Sequence, residues 1–506
     1  MQTSGAKQKI AILGGGIAAL AAAFELTEAE DWRDRYEITV YQMGWRLGGK
    51  CATGRGPNGR IEEHGIHAFS GSYYNALGLM WRCYQALGKL KEPGVLESFR
   101  DAFRPSNTVV MWELIRTRLN SWPFYLAPNK MSPVHYERSL ADIEEIIQSA
   151  MKLFERRYRA LEARHARRTA GHRPPPENFG DYVRRKLTEI GDVFRFIELL
   201  NRTGMTGSLW RTLWTWVFTR PPGARIFGKT RRMKILFNYV ATLSRGVFDL
   251  NKNILERGLD AIDDQNFDAW LEQYGALPET MASPLVFNTV DLSYNYPFGD
   301  TSDAPRMAAG TYLRWTLRMY LNMGNFAWSF EAGTGETVIA PLYHVLKHRG
   351  VRFEFFHKVR ELKPSGDGKR IERVLIDVQA TPKEAEYDPL VWVKSLRCWP
   401  NKPKYDLLKE GVELKANEAD LESYWSRCEP VGEKVLQAGQ DFDKLVFGIS
   451  IGAVQYLCDD LKKVDPRWDT MDRNIPTCAT QTMQIWFDKT TGSIGGHRLT
   501  KNLAPQ

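Results

Sequence analysis

Gly14, Gly16 and Ala19, in the run GGGIAA, have the types and spacing of a loop that lets a pyrophosphate lie against the backbone. Gly14 permits a tight turn, Gly16 leaves room for the phosphates, and small Ala19 lets the following helix pack closely on its strand. Ile17 and Ala18 complete the cofactor-binding turn ahead of that helix, whose N-terminal unpaired N–H groups would face the anion. A second glycine pair, Gly48 and Gly49 between Arg46 and Lys50, suits a loop laid along the same pyrophosphate, because bulky side chains there would hold the backbone away. A bare glycine-rich loop and an ordinary basic turn are the plain alternatives for the two motifs taken singly.

Such a loop needs a strand before it and another after it. Lys9 to Leu13 (KIAIL) supplies the first, the stretch from Leu20 to Leu26 reads as helix, and Tyr36 to Tyr41 (YEITVY) supplies the second strand. The acidic residue expected at the end of the second strand, to bind ribose hydroxyls, is replaced by Gln42. A glutamine accepts one hydrogen bond and donates another, without the charge that makes a carboxylate the stronger acceptor.

The run GWRLGGKCATGR followed by RIEEHGIHAFSGSYYNALGLMWRCYQALG resembles the plant and cyanobacterial phytoene and zeta-carotene desaturases, within the flavin amine oxidoreductase superfamily. Gly65, Ile66, His67, Phe69, Gly71, Tyr73 and Asn75 follow that family's G-[LI]-H-x-F-x-G-x-Y-x-N spacing. The resemblance resumes at Glu331 to Leu362 and at Phe442 to Ser450, where Val359 takes the place of a valine whose backbone meets the adenine. It implies FAD as cofactor, hydride transfer from a lipophilic, isoprenoid or carotenoid substrate, and His67 as the polar candidate beside the flavin. A structural histidine bonded to backbone is the competing reading of His67. No metal is implied.

The fold expected is α/β: a Rossmann-type FAD-binding domain of the glutathione-reductase kind with an inserted, largely helical substrate domain. Its pieces are 1–90 and 331–380, an insertion at 91–330, a polar insertion at 381–440, and 441–506 as a return strand and the start of a substrate-domain sheet. In amine oxidases of the superfamily a lysine stands near the flavin, on a strand equivalent to Thr477 to Phe487; here that run holds none, which weighs against an amine oxidase without removing it. The family's final flavin motif, an AGD turn followed by a helix, has no match before Gln506. A truncated chain, a partner that supplies the missing wall, and a non-catalytic flavin-binding remnant all stay open.

With 506 residues, 43% hydrophobic and 25% charged, the chain can bury more than one core. Six cysteines without CxxC spacing suit reduced thiols and no zinc site. The start MQTSGAKQK lacks an apolar signal core, and no run of about 18 apolar residues offers a membrane span, so a cytoplasmic protein is expected. The net charge of +9 is concentrated: Leu199 to Phe248 holds no acidic residue, while arginines and lysines alternate there with tryptophan and phenylalanine. Such a segment suits either peripheral contact with an anionic membrane or a helical core with a solvated basic face. Nucleic acid is not expected as a partner, since no recognition signature accompanies the charge. The sequence leaves the oligomeric state undefined.

Overall fold

The computed structural model describes residues 7–125 apart from 57, 107 and 116, scattered positions between 231 and 246, 259–490 apart from 294 and 322–325, and 493. The chain divides into two compact units. Met1–Phe69, Tyr73–Pro105 and Trp328–Gln506 form the first; Ser70–Ser72 and Ser106–Ala327 form the second.

The first unit is built on a four-stranded parallel sheet. Strand β1 (Gln8–Leu13) runs into helix α1 (Ile17–Leu26) and back through β2 (Tyr36–Tyr41), with Ile10 opposite Ile38 and Ile12 opposite Val40. These strands are apolar on both faces at their C-terminal ends, as a sheet covered on both sides requires. The long helix α2 (Tyr74–Leu90) and helix α3 (Ala340–Arg349) pack on this core, and Gly350, at φ 97°, ends α3 in the left-handed conformation that glycine adopts without strain. Strand β3 (Arg352–Glu354) then pairs with β2.

Next come β4 (His357–Pro364), β5 (Ile371–Val378) and β6 (Gly432–Gln437), an antiparallel three-stranded sheet in that order. Strand β7 (Lys444–Phe447) returns to the parallel sheet beside β1, giving the order β3-β2-β1-β7. Between β5 and β6, the segment 381–428 sends Leu390, Trp399, Leu408, Leu414 and Leu421 into the same core as α1 and α3.

The second unit carries an antiparallel hairpin, Thr108–Ile115 with Arg118–Tyr125, and short helices. A largely helical insertion is expected from the sequence, and this hairpin departs from it; the alternation around Trp112 is what a hairpin needs. Its core gathers Ile235, Tyr239, Phe267, Trp270, Tyr312 and Leu313. Buried Asn238 accepts from Leu277 N at 2.9 Å and Thr280 Oγ1 at 2.6 Å and donates to the Gly275 carbonyl at 3.0 Å. The basic aromatic stretch 199–248 lies almost wholly outside the described residues. Among the described residues no helix is long and apolar enough to cross a membrane.

Candidate nucleotide-binding site

At the C-terminal ends of β1 and β2 the two glycine loops meet. Gly14 takes φ 93° and donates its N–H to the Tyr41 carbonyl at 2.8 Å. Gly48, at φ 115°, donates to the Gly15 carbonyl at 2.8 Å, and Gly16 and Gly48 form a parallel bridge. A Cβ on Gly14 would stand 3.0 Å from the Gly448 carbonyl, so the turn admits only glycine at this place. A Cβ on Gly16, by contrast, would meet nothing closer than 4.0 Å. The floor over the start of α1 is open, and α1 begins at Ile17 with no side-chain cap on its free N–H groups. Ala18 lies in that turn, while Ala19 is fully buried against the sheet.

Gln42 is fixed through its backbone: its N–H donates to the Glu354 carbonyl at 2.8 Å and its carbonyl accepts from His357 N at 2.8 Å. That second bond sets the start of β4 two residues before buried Val359. The expected ribose and adenine positions are therefore neighbours. Lys50 and Gly49 begin a short turn of 3-10 helix, with Lys50 exposed.

Arg46 has protein partners. Its Nε and Nη2 lie 2.9 and 2.7 Å from Glu422 Oε2, and Nη1 donates to the Thr53 carbonyl at 2.7 Å. Burial pushes the Glu422 carboxyl up, against the opposing pull of Arg46.

The His67 segment leads to a buried polar cluster. Glu63 Oε1 accepts from the Thr53 hydroxyl and from Thr334 N at 2.7 Å, and Oε2 accepts from Thr334 Oγ1 at 2.8 Å. His67 Nε2 stands 2.6 Å from Glu63 Oε2, within ion-pair distance but off the line of a hydrogen bond. Burial raises the Glu63 carboxyl, yet His67, Thr53 and Thr334 together hold it below its ordinary range. Gly65, at φ 91°, donates to Thr482 Oγ1 at 3.2 Å, and Ile66 is exposed.

A second acid, Glu336, sits at the start of a π-helical turn, Gly335–Ile339, that leads into α3. It is buried and lies 3.0 Å from Arg55 Nη2, with neither oxygen hydrogen-bonded. Burial raises it first, Arg55 lowers it, Glu63 adds to the rise, and the net direction is up. A Cβ on Gly333 would stand within 2.8 Å of both carboxylates and of Thr53 Oγ1, so a side chain there would have to displace the three groups that converge on it.

Thr53, Arg55, Glu63, Thr334, Glu336 and Glu422 were not singled out from the sequence. All but Glu422 stand inside the stretches that carry the resemblance, and that adjacency was their only signal. Among the described residues no group of three or more His, Cys, Asp or Glu could hold a metal ion.

The family model for the NAD(P)-binding Rossmann-like domain matches residues 12–84. The matched segment holds β1 from Ile12, α1 and β2, a Rossmann-like βαβ unit. It is similar to the zeta-carotene desaturase of Synechocystis sp., at 36% identity over 72 residues, which is 14% of this chain and 14% of that protein. The chloroplastic/chromoplastic zeta-carotene desaturase of Capsicum annuum is 34% identical over 76 residues, 15% of this chain and 12% of that protein. The N-terminal segment is carotene-desaturase-like in sequence, and it spans about a seventh of the length of those relatives. Among solved structures, an oxidoreductase from Methanosarcina mazei covers 73% of this chain over 56% of its own, at 11% identity and a TM-score of 0.32.

Proposed function

We propose that this chain is an FAD-dependent oxidoreductase of desaturase type that removes two hydrogens from a lipophilic, isoprenoid-like small molecule. The observation that carries the reading is the junction of the two glycine loops, Gly48 N to Gly15 O, which forms one cradle open above Gly16. Gly14, Gly16 and the first turn of α1, Ile17 to Ala19, would hold the pyrophosphate, with Gly48, Gly49 and Lys50 closing over it. Gln42 would take the ribose hydroxyls and the Val359 backbone the adenine. Gly65, Ile66 and His67 would lie toward the flavin ring.

A bound flavin supplies the two-electron chemistry, and the chain's own residues orient the substrate, exclude water and manage the proton. His67 is the group proposed to accept that proton, because its ring is a quarter exposed and backed by Glu63. The stretch 199–248 is proposed to face a lipid surface that delivers the substrate.

The test is FAD binding by the full chain followed by anaerobic addition of carotenoid precursors and, separately, of amines. Stoichiometric yellow protein bleached by the isoprenoids supports the reading. Bleaching by amines alone transfers the protein to the oxidase type, and protein that stays colourless with added FAD overturns it.

A further inference from the structure

We infer that Glu63 is a positioning residue that fixes the tautomer of His67, with the proton on Nε2 and the lone pair on Nδ1. The inference rests on the reading of His67 as proton acceptor, and the geometry that carries it is local. Glu63 accepts three hydrogen bonds from groups other than His67. The Thr53 hydroxyl oxygen accepts from Gly335 N at 2.7 Å, so its proton is free to go to Glu63 Oε1. The same oxygen takes the Thr334 N–H at 2.7 Å, and the Thr334 hydroxyl occupies Oε2 at 2.8 Å.

His67 Nε2 stands 2.6 Å from that Oε2. At this separation a bare imidazole nitrogen would bring its partial negative charge against that of the carboxylate, on or off the hydrogen-bond line. A proton on Nε2 turns the contact into attraction, and the neutral ring then holds its only proton there. Nε2 is buried, so the exposed quarter of the ring lies elsewhere on it. Nδ1 is thereby left as the basic atom. When it takes a proton the ring becomes imidazolium, and the Glu63 carboxylate supplies the opposite charge at the far nitrogen.

The groups facing this pair also constrain what a substitution does. In Glu63→Gln the amide oxygen must take the Oε1 place, because two donors, the Thr53 hydroxyl and the Thr334 N–H, point at it. The amide NH2 then occupies the Oε2 place, with one hydrogen facing His67 Nε2 and the other the Thr334 hydroxyl, which must turn from donor to acceptor. That removes the proton from Nε2 and drives it to Nδ1. The isosteric change therefore inverts the tautomer rather than merely loosening the ring.

The experiment is a long-range nitrogen–proton correlation spectrum of the full chain labelled with 15N-histidine, recorded with the ring neutral. The His67 signals are identified among the nine histidines by their loss in His67→Gln. The expected wild-type pattern has a protonated Nε2 and a bare Nδ1, and Glu63→Gln should exchange the two. A wild-type proton on Nδ1, or a folded Glu63→Gln protein with the proton still on Nε2, overturns the assignment. Where Glu63→Gln fails to fold, the wild-type spectrum decides alone. No cofactor or substrate enters this measurement, so the expected tautomer in a protein without redox activity would support the role of Glu63 while refuting the oxidoreductase reading. A wrong tautomer in an active protein does the reverse.

Discussion

Arg46 and Glu422, 376 positions apart in the chain, form a two-toothed ion pair, with Arg46 Nε and Nη2 at 2.9 and 2.7 Å from the same carboxylate oxygen. Both side chains are about one-fifth exposed, and Nη1 also holds the Thr53 carbonyl. The segment between β5 and β6 is thus tied to the loop that carries Gly48 and Gly49. Arg46→Met would leave Glu422 without its partner, and we expect a loss of about 2–4 kcal/mol in urea unfolding of the cofactor-free protein. Changing both residues to Met should recover most of that loss. Were Arg46 engaged by phosphate instead, Arg46→Met would leave cofactor-free stability intact and weaken only FAD binding.

Gly448 follows β7 and has no freedom to carry a side chain. An added Cβ would stand 2.6 Å from the Ala19 Cβ and 2.9 Å from the Leu13 carbonyl, both fixed by the sheet and α1. Gly448→Ala should therefore lower stability by about 1–3 kcal/mol through overpacking. Ala19→Gly in that background opens the contact and should return part of the loss, although it costs about 0.5–1 kcal/mol in the helix by itself. Melting temperatures of the two single variants and the double variant give the coupling; strictly additive effects would refute the contact.

The Rossmann core was legible because its rules are local. KIAIL, GGGIAA and YEITVY each state their structure within a few residues, and β1, α1 and β2 formed where the pattern placed them. Partners supplied from far along the chain were not legible. Arg46 has the type and the place of a phosphate ligand, and only the fold shows Glu422 beside it. Glu63 and Glu336, 273 positions apart, meet because β1 to α2 and the start of α3 pack on one core; no periodicity brings them together. Neighbouring Glu62 is exposed while Glu63 is buried, and nothing in the dipeptide distinguishes them. The hairpin around Trp112 was hidden for a different reason, since short apolar runs satisfy helix and strand alike.

Gln42 offers a direct test of where the ribose sits. It ends β2 with its backbone fixed between Glu354 and His357, and its side-chain oxygen lies against Gly15. In Gln42→Glu a charged acceptor replaces a neutral one in the same place, and we expect FAD to bind about tenfold more tightly by titration calorimetry. Unchanged affinity would remove Gln42 from the proposed ribose site.

The two buried acids should give stability opposite dependences on pH. Glu63 is held below the ordinary glutamate value of 4.5, so its contribution is present above that value and is lost as pH falls through its folded pKa. Glu336 is raised above 4.5, so its contribution is present below that value and is lost as pH rises through its folded pKa. A glutamine at either place removes the titration while keeping the shape. The stability curves of wild type and Glu63→Gln should therefore converge on acidification below the ordinary glutamate range. Those of wild type and Glu336→Gln should move the other way, the variant gaining on wild type as pH rises above that range. The gain has a limit, because Arg55 loses its ionic partner in Glu336→Gln. Urea unfolding from about pH 3 to about pH 8 measures both differences. Curves that stay parallel to wild type throughout would mean that neither acid titrates differently in the folded chain, and the convergence at Gly333 would then carry no electrostatic consequence.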